Sequence, residues 1–319
     1  MSRKKVLVVG GAGYIGGLTT DFLINSGHDV TVFDNLLYEE RYFKPVNFVY
    51  GDIRDTDTIV KLANTFDTVI WMAALVGDPA CEVDTNMTNE VNHLAVKNFC
   101  AELNPDVKMI FFSTCSVYGL GDGLLNEDSP TNPLSAYAST KLAAEKYVIK
   151  RNGCVFRLGT VYGLGDNFAR LRLDLVVNVM ATKAFMDHKI TVNGGEQWRP
   201  IISTSDIAQY VVHCAENFHP GIYILSSENV IIKDLGERIS RMIPYTHINY
   251  VDVPFQDQRN YKVDASKAEN TFNYKCQTTV EDEVKNIYKV LSEHRVKDLT
   301  NITYNNGQFL KSNQQVAKI

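Results

Sequence analysis

The sequence is poor in the features that mark most specialised protein classes. Its six cysteines, at 81, 100, 115, 154, 214 and 276, form no C-x-x-C pair. That scatter argues against a zinc site or a disulfide framework and leaves free thiols in a reducing cytosol as the expectation. The seven histidines are dispersed, with no H-x-x-x-H arrangement, so no metal is expected. Net basic charge is absent. The net charge of -5 offers nucleic acid no basic surface, and any bound phosphate has to be held locally. No apolar run approaches the roughly 20 residues needed to cross a bilayer. The chain opens Met1-Ser2-Arg3-Lys4-Lys5 and runs straight into an apolar stretch, with no signal-peptide pattern. A cytoplasmic protein with neither a membrane nor a nucleic-acid partner is the expectation. Its 319 residues suffice for one large domain or two modest ones.

What is present begins at once. The apolar run Val6-Leu7-Val8-Val9 leads into Gly10, Gly13 and Gly16, spaced G-x-x-G-x-x-G, and a helix-compatible segment follows from Tyr14 to Ile24. Such a turn brings bare backbone close to a pyrophosphate and aims the helix's first N–H groups, those around Tyr14 and Ile15, at it. A second apolar run, Val30 to Phe33, ends in Asp34, roughly 20 residues beyond the glycines, where an acid accepts from an adenosine ribose.

Strand-like and helix-like segments then alternate. Apolar runs at 48–50, 68–72, 109–112 and 154–156 are separated by helical stretches near 56–65, 85–103 and 137–150. This rhythm predicts an α/β fold, a Rossmann-type doubly wound parallel sheet buried on both faces. The expected dinucleotide-binding domain covers 1–165, with returning segments near 199–225. Trp198-Arg199-Pro200-Ile201-Ile202 reads as a return to the sheet, and Ile222 to Leu225 as a further strand. Residues 166–292 read as a smaller, interleaved substrate lobe, and 293–319 as a tail, loosely attached from Asn301 onward because it lacks an apolar period.

Tyr137 and Lys141 stand four apart at the start of a helix, hence on one face. A phenol ordinarily titrates near pH 10, and a nearby ammonium and a positively charged nicotinamide would both favour the phenolate. The pair suits proton removal from an alcohol while hydride leaves the same carbon. Thr114, in Ser113-Thr114-Cys115-Ser116, could hydrogen-bond the substrate oxygen and share its proton with Tyr137.

With these residues the chain resembles the extended short-chain dehydrogenase/reductases of the NAD-dependent nucleotide-sugar epimerase/dehydratase family, from residue 4 to about 290. Gly10, Gly13 and Gly16 match that family's T-G-x-x-G-x-x-G, with Val9 in place of threonine. The resemblance implies that Asp34, with Asn35, binds the ribose of NAD, and that Gly51-Asp52-Ile53 contacts adenine. Met72-Ala73-Ala74 would run along the cofactor, with Trp71 where histidine is usual. Asn92 would support the active site, and Thr114, Tyr137 and Lys141 would be the catalytic set. Arg199 and Arg259 match diphosphate-binding arginines, whose planar fork suits phosphate oxygens, and Asn178 is a candidate for the nucleotide. A homodimer, paired through helices near 85–103 and 137–150, is also implied.

The departures narrow the reaction. Cys115 and Ser116 stand where 4,6-dehydratases resemble T-D-E, which argues against dehydration. Thr160 replaces a diphosphate-contacting asparagine. Together with Arg172 to Asn178 and Val76 to Cys81, it resembles a sub-branch close to C4 oxidation of GDP-heptose. The leading expectation is a nucleotide-sugar 4-epimerase. A net C4 dehydrogenase stays open beside it, as does a cofactor-binding regulatory protein, a reading that the retained Thr114, Tyr137 and Lys141 disfavour.

Overall fold

The computed structural model describes residues 3–251 and 259–313. Residues 252–258 of the expected lobe and 314–319 of the expected tail lie outside them. The first half alternates as the sequence predicts: β1 (Lys5–Val9), α1 (Tyr14–Asn25), β2 (Asp29–Asp34), β3 (Asn47–Tyr50), α2 (Thr56–Ala63), β4 (Thr68–Trp71), α3 (Asp78–Cys81) and α4 (Thr85–Asn89). A π-helical turn at Glu90–Leu94 leads from α4 into α5 (Ala95–Glu102). Then come β5 (Lys108–Thr114), a 3-10 turn at Cys115–Tyr118, β6 (Leu120–Leu125), α6 (Ala136–Lys150), β7 (Cys154–Leu158) and β8 (Thr160–Tyr162). The second half comprises α7 (Val176–Asp187), β9 (Lys189–Asn193), β10 (Trp198–Ser203), α8 (Thr204–Glu216), β11 (Gly221–Leu225), β12 (Glu228–Ile231), α9 (Ile232–Met242) and β13 (His247–Val251). It closes with β14 (Asn260–Val263), α10 (Ser266–Phe272), α11 (Val280–Ser292), a 3-10 turn at Ile302–Tyr304 and α12 (Asn306–Ser312).

The main sheet has seven parallel strands in the order β11-β7-β5-β4-β1-β2-β3. Period-2 alternation explains its uninterrupted apolar runs. Val6, Val8, Ile70, Ile110, Phe112 and Phe156 face one buried layer, and Leu7, Val9, Val69, Trp71, Phe111 and Val155 face the other. Both layers are covered by helices, so the middle of the sheet is mostly apolar, with Ser113 and Arg157 as buried polar exceptions at its carboxyl end.

One expected strand goes elsewhere. Trp198–Ser203 does not return to the main sheet; it lies between β8 and β12 in a separate three-stranded sheet. Only Gly221–Leu225 returns, beside β7. The chain leaves the main sheet at Gly159, whose N–H donates to Leu225 O at 2.9 Å, and where a Cβ would sit 3.0 Å from the Pro200 backbone. β8 therefore continues β7 in a new direction and recruits β10. The lobe has its own core, built from α7, α9, α11 and β9 around Ile190, Val192, Leu235 and Val284.

Residues 302–313 are also docked rather than loose: Asn306 is buried, and Leu173 N–H donates to Tyr304 O at 2.8 Å. Their anchors are mostly polar and backbone groups, with the Phe309 ring as an aromatic contact, which leaves no apolar period to read. No described helix is long and apolar enough to cross a membrane.

Candidate active site

The glycine turn forms a cradle at the carboxyl end of β1. Gly10 adopts φ +86°, and a Cβ there would lie 2.5 Å from the backbone N of Ala73. Val9 O accepts from both Met72 N–H and Ala73 N–H, at 2.8 and 2.9 Å, which draws the Ala73-Ala74 segment along the turn. Gly13 is the N-cap of α1. No side chain caps this helix and its first turn carries no acid, so the first-turn amides of Tyr14, Ile15 and Gly16 and the positive helix end are left for an anion. Asp34 closes the cradle. Its carboxylate accepts from Ala12 N–H at 3.0 Å and Leu36 N–H at 2.8 Å. Burial raises its pKa, and those backbone donors act against the rise. Beyond it, Asp52 accepts from Arg54 at 2.7–3.2 Å and is also bonded by the Asn35 side chain, with Ile53 buried beside them. A cleft that a Cβ would fill, an uncapped helix end and an acid on the ribose side together fit a dinucleotide.

Asn92 occupies the π-helical turn and clamps the next loop. Its amide donates to Leu75 O and accepts from Leu75 N–H, both at 2.8 Å. Trp71, in the usual histidine position, is fully buried with its ring 4.6 Å from that of Phe99.

The candidate catalytic groups come from β5 and α6. Thr114 ends β5 and caps the following turn, accepting from Ser116 N–H at 3.1 Å. Ser135 caps α6, accepting from Ala138 N–H at 3.2 Å and donating to Asp78 Oδ1 at 2.7 Å. That cap fixes Tyr137 and Lys141 in the first turns of α6. The Lys141 ammonium position is buried over the Phe111 ring, 4.1 Å from its centroid. Burial pushes its pKa down to about 7, against the pull of Glu145 and Cys81. Burial also raises the Tyr137 phenol, as do Cys81 and Asp78, while Thr114 and Arg172 act in the opposite direction. Lys141 sits where its own charge is disfavoured, and Thr114 and Arg172 are the leading groups that favour the phenolate.

The two candidate diphosphate arginines meet. Arg199 donates to Trp198 O at 2.8 Å and to Arg259 O. The Arg259 guanidinium donates to Ser116 Oγ at 2.8 Å and lies 3.4 Å from Asp78 Oδ2. This joins both arginines to the turn that follows Thr114. Asn178 does not join them. It is buried, its Oδ1 accepting from Gly163 N–H at 2.9 Å and its Nδ2 donating to Gly163 O, Arg172 O and the Tyr14 hydroxyl. Both ends of its amide bind protein, so it shapes the 163–172 loop instead of reading a nucleotide. Cys115 is a packed thiol, donating to Arg157 O at 3.3 Å. Thr160 lies in β8, in register with Ile201 of β10.

Three residues at the site were given no role from sequence. Asp78 links the α6 cap to Arg259, Cys81 is a buried thiol close to Tyr137 and Lys141 whose own ionisation burial disfavours, and Arg172 reaches Tyr14, Tyr38 and Tyr137. An acid directly after Gly77, at the first position of a helix, was the available signal for Asp78. Arg172 stands at the head of the Arg172–Asn178 run singled out above, but its place at the site depends on a loop returning from the lobe.

The profile of the NAD dependent epimerase/dehydratase family matches residues 6–226. A UDP-glucose 4-epimerase of Lactobacillus helveticus is 31% identical over 216 residues, covering 60% of this chain and 64% of that one. The chain spans less than two thirds of that relative's length, and 44% of a second UDP-glucose 4-epimerase, from Halalkalibacterium halodurans, at 40% identity over 44% of this chain. A putative UDP-glucose 4-epimerase of Methanocaldococcus jannaschii is 26% identical over 88% of this chain and 96% of its own. Among solved structures, Pal from Bacillus thuringiensis superposes with a TM-score of 0.79 at 26% identity, over 91% of this chain and 99% of its own. The UDP-glucose 4-epimerase of Thermotoga maritima, solved with UDP-glucose, gives 0.80 at 20% identity, over 92% and 100%, a likeness of fold.

Proposed function

The chain belongs to the NAD dependent epimerase/dehydratase family, and on that premise we propose that it oxidises C4 of a nucleotide-linked sugar and works as a nucleotide-sugar 4-epimerase. The observation that carries this reading is the convergence of Thr114 and Tyr137 at the carboxyl end of β5, with Arg199 and Arg259 joined to the same turn through Ser116. Tyr137 takes the proton of the sugar hydroxyl, and Thr114 orients that hydroxyl and shares its hydrogen bond. Arg199 and Arg259 hold the diphosphate, which fixes the sugar against Tyr137. Gly10, Gly13, Asp34, Asp52, Ala73, Ala74 and Lys141 hold NAD, with Tyr14, Ile15 and Gly16 offering backbone N–H groups. When bound, NAD supplies the acceptor for the hydride leaving C4.

Dehydration fits poorly. It needs an acid pair after Thr114, and Cys115 there is a packed thiol while Ser116 accepts from Arg259. The relatives' names make UDP-glucose the first sugar to try. We also place the enzyme in the cytoplasm, in keeping with its six free cysteines, and as a homodimer paired through 85–103 and 137–150, which sedimentation of the holoenzyme checks.

The test is to incubate the purified protein, without added cofactor, with UDP-, GDP- and dTDP-linked sugars, and to follow product mass and stereochemistry. Equal-mass product over many turnovers supports the epimerase. A product lighter by two hydrogens, stopping at one turnover with NADH trapped, replaces it with the net dehydrogenase.

A further inference from the structure

Residues 302–312 have no part in the chemistry above, yet they are tied to three loops that surround the cofactor cleft. Asn306 is their centre and is 2% exposed. Its backbone N–H donates to Asp174 Oδ2 at 2.9 Å, its Nδ2 donates to Val76 O at 2.8 Å, and its Oδ1 accepts from Arg170. Val76 follows the Ala73-Ala74 stretch. Arg170 and Asp174 belong to the loop between β8 and α7. On the third loop, after Asp34, the Tyr38 ring lies 5.1 Å from that of Phe309 in α12.

Asp174 passes this anchoring on. Its other oxygen accepts from Arg172 Nε at 2.7 Å, and the Arg172 guanidinium lies over the Tyr14 ring, 5.9 Å from its centroid. Tyr14 opens α1 beside the glycine cradle, and the charge of Arg172 also reaches Tyr137. A dinucleotide held in the cradle and reaching Tyr137 would have this cation, which sits by Tyr14 at the start of α1, within electrostatic reach. A guanidinium fixed by a bidentate carboxylate is well suited to cover a pyrophosphate.

We propose that residues 302–312 form a strap across the cofactor cleft, in which Asn306 is a positioning residue that sets Arg172 through Asp174 and so retains the dinucleotide. The inference rests on the family's NAD and deepens the epimerase reading, since a catalyst that returns its hydride has to keep the cofactor until the cycle closes.

The experiment measures release of labelled NAD from holoenzyme into excess unlabelled NAD, with no sugar nucleotide present. Its outcome is therefore independent of which sugar reaction the enzyme performs. Asn306→Pro removes the N–H to Asp174 and both side-chain ties at a first helical position, where proline is tolerated. We expect release about tenfold faster or more, and the same from a chain ending at Thr300. Asn306→Ala, which keeps the N–H, should fall between this and wild type, and exposed Gln308→Ala should match wild type. Added to Arg172→Ala, Asn306→Pro should speed release no further, because both act on one contact. Release within twofold of wild type in Asn306→Pro, Asn306→Ala and the shortened chain overturns the proposal. So does a multiplicative effect with Arg172→Ala, which would mark Asn306 as merely structural.

Discussion

Glu145 stands one helical turn beyond Lys141, and its carboxylate receives the Arg157 guanidinium at 2.7 and 3.1 Å. Ser113 donates to the same carboxylate at 2.5 Å, and Arg157 donates onward to the Tyr118 hydroxyl at 2.8 Å. This buried pair fastens α6 to β5 and β7 directly behind Thr114 and Lys141. Breaking it by Glu145→Gln leaves a buried, uncompensated guanidinium, so folding stability should fall by about 3–5 kcal/mol. Denaturant melts of the two proteins measure this, and a loss below about 1 kcal/mol would show that the pair is dispensable.

Tyr137→Phe removes the proton acceptor and little volume. Turnover should drop by about a hundredfold or more, with NAD content per chain unchanged. Stopped-flow or product assays on variants of equal cofactor load decide it; turnover near wild type would remove Tyr137 from the proposed role.

Burial of Lys141 carries a pH signature. Its folded pKa, about 7, lies below the ordinary lysine value of 10.5. Between these values the unfolded chain binds one proton more, so this group makes stability rise with pH from about 7 to 10.5 and adds no slope below about 7. The thermal midpoint of the cofactor-free Lys141→Met variant should exceed that of wild type most at pH 7, with the gap closing toward pH 10. A gap independent of pH would mean that the lysine stays charged when folded.

The glycines divide by what surrounds them. At Gly13 the backbone is ordinary, and a Cβ would meet only Gly10 O, at 3.3 Å. Gly13→Ala should therefore fold normally and lose NAD, because the methyl stands at the helix end where the anion binds. At Gly10 the positive φ and the Ala73 backbone leave no room, so Gly10→Ala should fail to fold stably. Cofactor content and melting curves separate the two. A folded, NAD-free Gly10→Ala would contradict this.

Arg259→Ala should raise KM for the nucleotide sugar about tenfold or more while changing kcat much less, since the guanidinium is assigned to the diphosphate and not to the reacting carbon. Steady-state kinetics give the split directly; equal losses in kcat would move Arg259 closer to the chemistry.

The parts legible in the sequence are those whose physics is local. The β1 run, the glycine spacing and Asp34 lie within one supersecondary unit, and Tyr137 and Lys141 share a helix face by period alone. Asn178, Arg172 and Asn306 are opaque in the sequence for the opposite reason. Each meets at least one partner more than 130 residues away in the chain, as Asn178 does with Tyr14, Arg172 with Tyr14 and Asn306 with Asp174. β10 shows the same limit. Its apolar character announces a strand, but the choice between two sheets was made by the turn at Gly159.

The π-helical turn at Glu90–Leu94 has a consequence for the register of the chain. A π turn holds about one residue more than an α turn, so α4 and α5 are out of phase by about 100°, as if one residue had been inserted between them. No single apolar stripe can run through 85–102. Deleting one residue from 90–94 would restore a continuous α-helix and swing the Asn92 amide away from Leu75. In this helix the defect in regularity carries the loop beside the cofactor, and a mutation that repairs the helix damages the site.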